Sequence, residues 1–294
     1  MIAMIKEIKA STLLSSARQP DPWFGIKYTM NLYRGCQHQC IYCDSRSECY
    51  GVEDFGHDVL VKANALDLLR DELPRKRVKG TVGTGSMNDP YMPLEAVINL
   101  TGRALEIVAE HRFPVHVITK SDLVMRDADI LADIGRIYAA ISFTVTAADD
   151  DLSRRLEPGA PPTSTRFAAL AALAARGIYT GVTMMPILPF IEDNAENIAG
   201  IVAQAAEAGA AYIMPGFGMT MRDRQRTYYY AQLDRLFPGL REQYEARFGD
   251  RYSAAANDAK KLEGLFAELC DRHGIATRMK HYLVGEPVKQ LPLF

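Results

Sequence analysis

The 294-residue sequence contains little cysteine, no long apolar run and no excess of charge of one sign. No stretch approaches the roughly 18 consecutive apolar residues of a membrane-spanning helix. The N-terminal segment lacks the apolar core and cleavage site of a secretory signal peptide. Lys and Arg number 34 against 36 Asp and Glu, giving a net charge of −2. These absences argue against membrane, secreted and wholly basic nucleic-acid-binding proteins, and we expect a cytoplasmic protein.

The composition itself is that of an ordinary globular protein, with 48% hydrophobic and 24% charged residues. Disordered, collagen-like and coiled-coil chains do not have such values. Three of the five cysteines, Cys36, Cys40 and Cys43, lie close together, whereas Cys49 follows shortly and Cys270 is distant. An odd number of cysteines without a signal peptide favours a reducing compartment over a disulfide framework.

Short apolar runs alternate with amphipathic stretches along most of the chain. This alternation predicts parallel βαβ units and an α/β fold, namely a full or partial (β/α) barrel of about six units. In such a barrel, functional residues gather where the strands run into loops at their carboxyl ends. The predicted strands are residues 28–33, 59–62, 80–84, 115–119, 138–145, 179–187 and 211–214, and the predicted helices are residues 64–73, 94–111, 127–134, 164–176 and 194–208.

The pattern changes after residue 220. Residues 228–236 and 254–270 are amphipathic and predict two helices, joined by a segment that begins with a Pro-Gly turn. We therefore expect residues 1–219 to form the barrel and residues 220–294 to form a helical C-terminal extension with a short tail.

The cysteine spacing C-x3-C-x2-C in residues 36–43 has three explanations. It places the cysteines on one face of a helix, although Gly35 and the polar neighbours argue against this. With His38 and Cys49 it supplies four zinc ligands, but no distant second cysteine pair exists. Three thiolates without a fixed fourth ligand suit a 4Fe–4S cluster with one open iron better.

The same spacing, with Tyr42 as an aromatic residue before the last cysteine, resembles the signature of radical S-adenosylmethionine (SAM) enzymes. The resemblance implies that Cys36, Cys40 and Cys43 hold a 4Fe–4S cluster whose fourth iron binds SAM. It also implies an external electron donor and reductive cleavage of SAM to a 5′-deoxyadenosyl radical that abstracts hydrogen. The implied fold is a partial (β/α)6 TIM-like barrel whose cluster loop follows the first strand.

Four longer phrases resemble a narrower branch, the spore photoproduct lyase-like or DNA repair photolyase-like proteins. The resemblance runs from about residue 5 to residue 275, and it implies a lyase-like enzyme acting on a nucleic-acid lesion or a related substrate. The phrases are NLYRGCQHQCIYCDSR (31–46), GTGSMNDPYMPLE (83–95), ITKSDLVMRDADIL (118–131) and LEPGAPP (156–162).

The resemblance places SAM-binding residues at the ends of the predicted strands. Ser86 and Asn88 occupy the place where the superfamily binds the SAM amino group, although the usual Gly-Gly-Glu motif is absent and a Ser/Asn turn explains them equally. Lys120 is expected to pair with the SAM carboxylate, the alternative being a surface lysine. Ser142 is expected to contact SAM, and Thr144 lies on the same face of the strand. Both hydroxyls are otherwise hydrogen-bonded core groups.

Tyr42 is the candidate catalytic residue. Its ring packs near the adenine, or its hydroxyl joins a hydrogen-atom relay, as the resemblance suggests. Glu157 in LEPGAPP is explained equally by a structural turn and by a catalytic role. The lyase's hydrogen-donating cysteine has no counterpart in residues 83–91. Cys49 is a conceivable substitute, although a spare buried thiol is the simpler explanation. We therefore expect a relative with a different or undetermined substrate.

Two further segments are candidates for binding partner molecules. The last five residues, QLPLF (290–294), resemble the peptide by which bacterial repair and replication proteins bind the sliding clamp, or else form a tail packed on the barrel. Arginines and tyrosines in residues 222–230 suit nucleic-acid phosphates and bases, or else a solvated helix start with buried tyrosines. We expect a monomer. The alternative functions are radical modification of a peptide or small metabolite, and a non-catalytic metal-binding or clamp-binding adaptor.

Overall fold

The computed structural model describes residues 4–52, 55, 58–85 and 87–283. Within them we number the strands and α-helices in chain order. The strands are β1 (Met4–Ile8), β2 (Leu14–Ser16), β3 (Ile26–Met30), β4 (Tyr33–Arg34), β5 (Asp58–Lys62), β6 (Thr81–Thr84), β7 (Val115–Thr119), β8 (Ala139–Thr144), β9 (Tyr179–Met184), β10 (Tyr212–Pro215), β11 (Gly218–Thr220) and β12 (Ser253–Ala255). The helices are α1 (Ala65–Glu72), α2 (Glu95–Ile98), α3 (Leu100–Glu110), α4 (Ala128–Gly135), α5 (Asp150–Leu156), α6 (Thr163–Ala175), α7 (Ala195–Glu207), α8 (Asp223–Leu236), α9 (Leu240–Phe248) and α10 (Ala259–His273).

Six parallel strands form the main sheet, in the order β3-β6-β7-β8-β9-β10. The short strand β2 pairs antiparallel with β3 at one edge. Strands neighbouring in space follow one another along the chain, as right-handed βαβ crossovers produce. Within the described residues the edge strands β2 and β10 do not pair with each other. The prediction of a partial (β/α)6 barrel is confirmed.

Alternate side chains of these strands point to opposite faces of the sheet. Val117, Phe143 and Val182 point outward and are fully buried beneath the surrounding helices in the largest apolar cluster. Ser142 and Tyr212 point inward. Because both faces are covered, strands β6 to β10 consist mainly of apolar and β-branched residues, which is why the sequence pattern located them.

The predicted strand at residues 59–62 exists as β5, but it lies outside the barrel sheet. It pairs in parallel with β1 and antiparallel with β4, forming a separate three-stranded sheet. Gly35 follows β4 at φ +84°, and a Cβ there would lie 2.1 Å from the carbonyl oxygen of Asp58. Only glycine therefore fits where the chain turns from this sheet into the cysteine segment.

Two predicted helices differ from the observed ones, and one observed helix was not predicted. The helix expected at 94–111 is divided into α2 and α3 at Asn99, whose φ is +51°. The helix expected at 254–270 begins later, at α10, because residues 253–255 form β12 and pair with β11. The segment expected to join the last two helices contains the additional helix α9.

A C-terminal segment closes the barrel at the amino ends of its strands. Ala276 pairs with the start of β10. The carbonyl oxygen of Lys280 accepts a hydrogen bond from the Tyr138 hydroxyl at 2.6 Å, and His281 Nε2 lies 3.0 Å from the carbonyl oxygen of Trp23. The open end of the barrel is thus at the carboxyl ends of the strands. In the described part of the chain, no helix has the length and apolarity to cross a membrane.

Candidate functional site

The three clustered cysteines lie in a loop between β4 and a short 3-10 helix at Asp44–Arg46. Residues 35–43 form turns and not a helix, so the explanation of one helix face is wrong. Cys36 and Cys40 are buried and Cys43 is half-buried. Cys43 packs both against the apolar cluster that contains Cys40 and against the one that contains Cys36. The loop therefore brings the three thiols together.

Burial makes these thiols hard to ionise in the ligand-free protein. It raises the pKa of Cys36 to about 12, and it raises the pKa of Cys40 and of Cys43 as well. Two kinds of neighbour lower these pKa values in part. The backbone amides of Asp89 and His38 lower the pKa of Cys36, and the Lys120 ammonium lowers the pKa of Cys40. A bound metal group would deprotonate such thiols outright.

The donor set fits an iron–sulfur cluster. Among the described residues, no three His, Cys, Asp or Glu side chains form a group suited to a single metal ion. A four-iron cluster takes each of its cysteine thiolates on a separate iron and carries negative charge that neighbouring N–H and ammonium groups stabilise. Two buried thiols and the half-buried thiol of Cys43, beside backbone amides and Lys120, meet these requirements.

The LEPGAPP phrase packs directly on the cysteine loop. The carbonyl oxygen of Leu156 accepts a hydrogen bond from the amide of Ile41 at 2.9 Å, and the amide of Gly159 donates to the carbonyl oxygen of His38 at 2.9 Å. A Cβ at Gly159 would lie 2.1 Å from the carbonyl oxygen of Gln37. This phrase therefore shapes the loop that carries the cysteines.

Glu157, in the same phrase, is the centre of a buried ionic group. Its Oε1 accepts a hydrogen bond from the Tyr42 hydroxyl and lies 3.7 Å from Lys120 Nζ, while its Oε2 lies 2.5 Å from Arg166 Nη2. Burial alone would raise the pKa of Glu157, but Arg166 and Lys120 outweigh it and lower that pKa. Burial alone would lower the pKa of Lys120, but Cys40 and Glu157 outweigh it and raise that pKa. Glu157 and Lys120 are therefore charged.

Asp89, in the NDPYMPLE phrase, connects the cysteine loop to the end of β7. Its carboxylate accepts hydrogen bonds from Thr119 Oγ1 at 2.6 Å and from the amide of Lys120 at 2.7 Å, and it lies 3.3 Å from His38 Nδ1. Although burial opposes its ionisation, His38 and these donors lower the pKa of Asp89 to about 2. The ionised carboxylate thus fixes the backbone position of Lys120 relative to the loop.

Asn88 and Glu95 in the same phrase brace the entry to the cysteine loop. Asn88 Nδ2 donates to the carbonyl oxygen of Tyr33 at 2.6 Å, and Glu95 accepts a hydrogen bond from the Tyr33 hydroxyl. The other oxygen of Glu95 lies 3.2 Å from Arg126 Nη2. The amide group of Asn88 is thus engaged with the backbone, and its contact with SAM stays a prediction. Ser86 lies outside the described residues.

Ser142 lies on the inner wall of the barrel. Its Oγ is 2.7 Å from His116 Nε2 and 2.7 Å from the Tyr212 hydroxyl, in a fully buried layer. Burial lowers the pKa of His116 to about 3, so the imidazole is neutral. Thr144 lies one layer nearer the carboxyl ends of the strands. Its Oγ1 is 2.9 Å from Thr183 Oγ1. SAM contacts for both hydroxyls stay predictions.

Tyr42 is fixed at both ends. Its hydroxyl donates to Glu157, and its carbonyl oxygen accepts a hydrogen bond from Gln225 Nε2 at 3.0 Å. Lys120 Nζ lies 5.9 Å from the centre of its ring. The structure therefore places Tyr42 and Lys120 beside the cysteine loop, whereas Ser142 lies deeper in the barrel. The sequence did not predict that Glu157, Arg166 and Asp89 connect these segments. Glu157 and Asp89 nevertheless lie in two of the phrases that carry the family resemblance.

The arginine-rich start of α8 holds the loop that follows the cysteines. Cys49 in that loop is exposed, so the expectation of a buried thiol is wrong, and its Sγ lies 3.3 Å from Arg222 Nη1. Arg224 donates to carbonyl oxygens of the same loop. Tyr229 and Tyr230 are buried. Each of these side chains thus has a structural role.

The sequence matches one family model and is similar to several known proteins. Residues 30–201 match the family model described as the radical SAM superfamily. An uncharacterized protein of Mycobacterium tuberculosis is 31% identical over 226 residues, which cover 74% of this chain and 66% of that protein. The chain thus spans slightly less than two thirds of the mycobacterial relative. The radical SAM Nalpha-GlyT isomerase of Pseudomonas phage M6 is 25% identical over 238 residues, covering 81% of this chain and 46% of the isomerase.

Comparison with solved structures gives a match to spore photoproduct lyase complexed with dinucleoside spore photoproduct. The TM-score is 0.68 at 17% sequence identity, and the match covers 92% of this chain and 79% of the lyase chain. At this level of identity the similarity concerns the fold alone.

Proposed function

This chain belongs to the radical SAM superfamily, and we propose that it binds a 4Fe–4S cluster through Cys36, Cys40 and Cys43 and cleaves SAM reductively there. The observation that carries the proposal is the convergence of three thiols, two of them buried and one half-buried, beside Lys120 and Tyr42 at the carboxyl ends of the barrel strands. The superfamily match supports an enzyme over the non-catalytic adaptor.

When bound, the cluster and SAM supply a 5′-deoxyadenosyl radical that abstracts hydrogen from a substrate. The protein's part is to bind, orient and exclude water. Lys120 holds the SAM carboxylate, and the segment containing Ser86 and Asn88 holds the amino group. The buried layer around Ser142 and the closed amino end of the barrel exclude water that would otherwise reach the site through the barrel interior.

For the substrate we propose a nucleic-acid lesion or a related molecule, on the resemblance of the four longer phrases to the lyase-like branch. The second candidate is a peptide or small metabolite. It is favoured by the engagement of Arg222, Arg224 and Arg226 with carbonyl and carboxylate groups of the protein itself, because phosphate recognition needs free cationic groups.

Two measurements test this function. Anaerobic reconstitution should give about four iron and four sulfide per chain, and dithionite with SAM should then yield 5′-deoxyadenosine. Cys40→Ala should abolish both, and SAM cleavage retained in that variant would contradict the mechanism. Deuterium transfer into 5′-deoxyadenosine from labelled substrates, beginning with damaged DNA oligonucleotides and continuing with peptides, then separates the two substrate classes.

We also propose that the tail at residues 290–294, which lies outside the described residues, binds a bacterial sliding clamp. Leucine and phenylalanine side chains of such a peptide serve as apolar anchors. A fluorescent KQLPLF peptide should bind a purified clamp saturably at micromolar concentration. Absence of saturable binding at high micromolar concentration would remove this partner without affecting the catalytic proposal.

A further inference from the structure

One buried carboxylate, that of Glu157, contacts both side chains that we propose to face SAM. Oε1 accepts the Tyr42 hydroxyl and lies 3.7 Å from Lys120 Nζ. The side chain of Glu157 is 1% exposed and that of its partner Arg166 is 0% exposed, so solvent screens neither charge. Tyr42 comes from the cysteine loop and Lys120 from the end of β7. Glu157 is thus a physical link between the loop and the barrel.

Arg166 holds Glu157 in one position. Its Nη2 lies 2.5 Å from Oε2, while Nε donates to the carbonyl oxygen of Pro161 at 2.7 Å and Nη1 donates to that of Thr144 at 2.8 Å. The guanidinium is therefore anchored to two backbone segments. A carboxylate paired with an anchored guanidinium cannot rotate away from Tyr42 without leaving a buried charge unpaired, which is costly.

The charges of Glu157, Arg166 and Lys120 alone sum to one positive charge, which is carried by Lys120. Glu157 and Arg166 cancel, whereas Lys120 has no hydrogen bond from its Nζ to any described residue and lies beyond hydrogen-bonding distance of Glu157. Its side chain is 16% exposed, so it retains access to a ligand. The arrangement holds the ammonium near a fixed point while leaving its donors free for an anion such as a carboxylate.

We infer that Glu157 is a positioning residue, which rests on the proposed function. It orients the Tyr42 hydroxyl and restrains Lys120 where the SAM carboxylate binds, and Arg166 offsets its charge so that the Lys120 ammonium stays available to an anion. Loss of this restraint should lower the turnover number per cluster more than it weakens SAM binding. The reaction requires that SAM be held in one orientation, whereas binding tolerates small displacements of Tyr42 and Lys120.

The chain offers a matched control. Glu95 is also buried, accepts a tyrosine hydroxyl, that of Tyr33, and pairs with an arginine, Arg126. It does not touch Tyr42 or Lys120 in the contacts of the described residues. Equal substitutions at Glu157 and Glu95 therefore each disturb a buried carboxylate that contacts a tyrosine and an arginine, and only those at Glu157 disturb the two side chains that we propose to face SAM.

The test compares Glu157→Asp with Glu95→Asp, each reconstituted and normalised to its cluster content. We expect Glu157→Asp, which keeps the charge but withdraws the carboxylate, to reduce kcat per cluster about tenfold with KM for SAM changed by less than about threefold. Glu95→Asp should reduce cluster content while kcat per cluster stays within about twofold of wild type. Equal kcat values per cluster for the two variants would overturn the inference.

A binding measurement on the unreduced enzyme provides a second readout. Glu157→Gln removes a negative charge beside Lys120, so equilibrium dialysis should show SAM bound about threefold to tenfold more tightly. Binding of 5′-methylthioadenosine, which lacks the carboxylate, should be unchanged. Weaker SAM binding would contradict the charge argument. If this variant does not fold, the aspartate pair decides alone. Wild-type protein that neither binds nor cleaves SAM would instead refute the proposed function.

Discussion

Replacing Gly159 by alanine tests whether the LEPGAPP phrase shapes the cysteine loop. A Cβ at this position would lie 2.1 Å from the carbonyl oxygen of Gln37 and 3.0 Å from His38 Cα, both backbone atoms. Ordinary contacts begin at 3.4 Å, so the loop has to move by at least about 1 Å. The movement falls between two of the proposed cluster ligands, Cys36 and Cys40, and also disturbs the hydrogen bond from Gly159 to His38.

The expected cost combines two terms. Overpacking of a well-packed site costs about 1–3 kcal/mol, and a weakened hydrogen bond adds about 1 kcal/mol. We therefore expect Gly159→Ala to lower the free energy of unfolding by about 2–4 kcal/mol. A loop displaced by about 1 Å also misplaces two thiolates by far more than the roughly 0.2 Å that metal–ligand distances tolerate, so iron content after reconstitution should fall by at least about half.

The assay is urea unfolding of the cluster-free protein, followed by iron determination after anaerobic reconstitution. Gly135→Ala is the control, because nothing lies within 4 Å of a Cβ there and the residue is helical. It should leave iron content unchanged and stability unchanged or slightly higher. Wild-type stability and full iron content in Gly159→Ala would refute the packing argument.

Three further predictions concern buried and exposed titratable groups. Burial lowers the pKa of His116 from 6.5 to about 3, so the stability from its neutral form is lost as pH falls below 6.5. The wild type should lose about 2 kcal/mol more than His116→Gln between pH 6.5 and 5 in urea unfolding, and parallel losses would contradict this. Burial raises the pKa of Glu192 from 4.5 to about 8, so stability is lost as pH rises through that window. Glu192→Gln should remove a decline of about 3 kcal/mol between pH 5.5 and 7.5, and an unchanged decline would count against a buried neutral acid. Cys49→Ser should retain wild-type iron content because the thiol is exposed and held by Arg222, and a large loss would indicate a fourth protein ligand.

Strands β6 to β10 could be predicted because they are buried on both faces and consist mainly of apolar and β-branched residues. The pairing of β5 with β1 could not, since it joins segments more than 50 residues apart and leaves no local pattern. Helix α9 was missed for a different reason. Only Tyr244 and Phe248 of its residues are buried, so its sequence LREQYEARF has too few apolar positions for a helical period.

The candidate site was predictable where chemistry depends on local spacing, and unpredictable where it depends on contacts between distant segments. Cys36, Cys40 and Cys43 could be identified because they lie within eight consecutive residues of one loop. Glu157, in contrast, receives its partners from the cysteine loop, from the end of β7 and from α6, so its central position appears only in the folded chain. The bond from Asn88 to the backbone of Tyr33 is likewise a contact across 55 residues.

The central claim is that three thiols of one loop support reductive cleavage of SAM. The most direct measurement is the amount of 5′-deoxyadenosine formed per chain when the reconstituted protein is incubated anaerobically with SAM and dithionite. We expect formation by the wild type that stops without reductant and is absent from Cys40→Ala. Equal amounts from the wild type and Cys40→Ala, or none from a wild type that carries its full complement of iron and sulfide, would contradict the account.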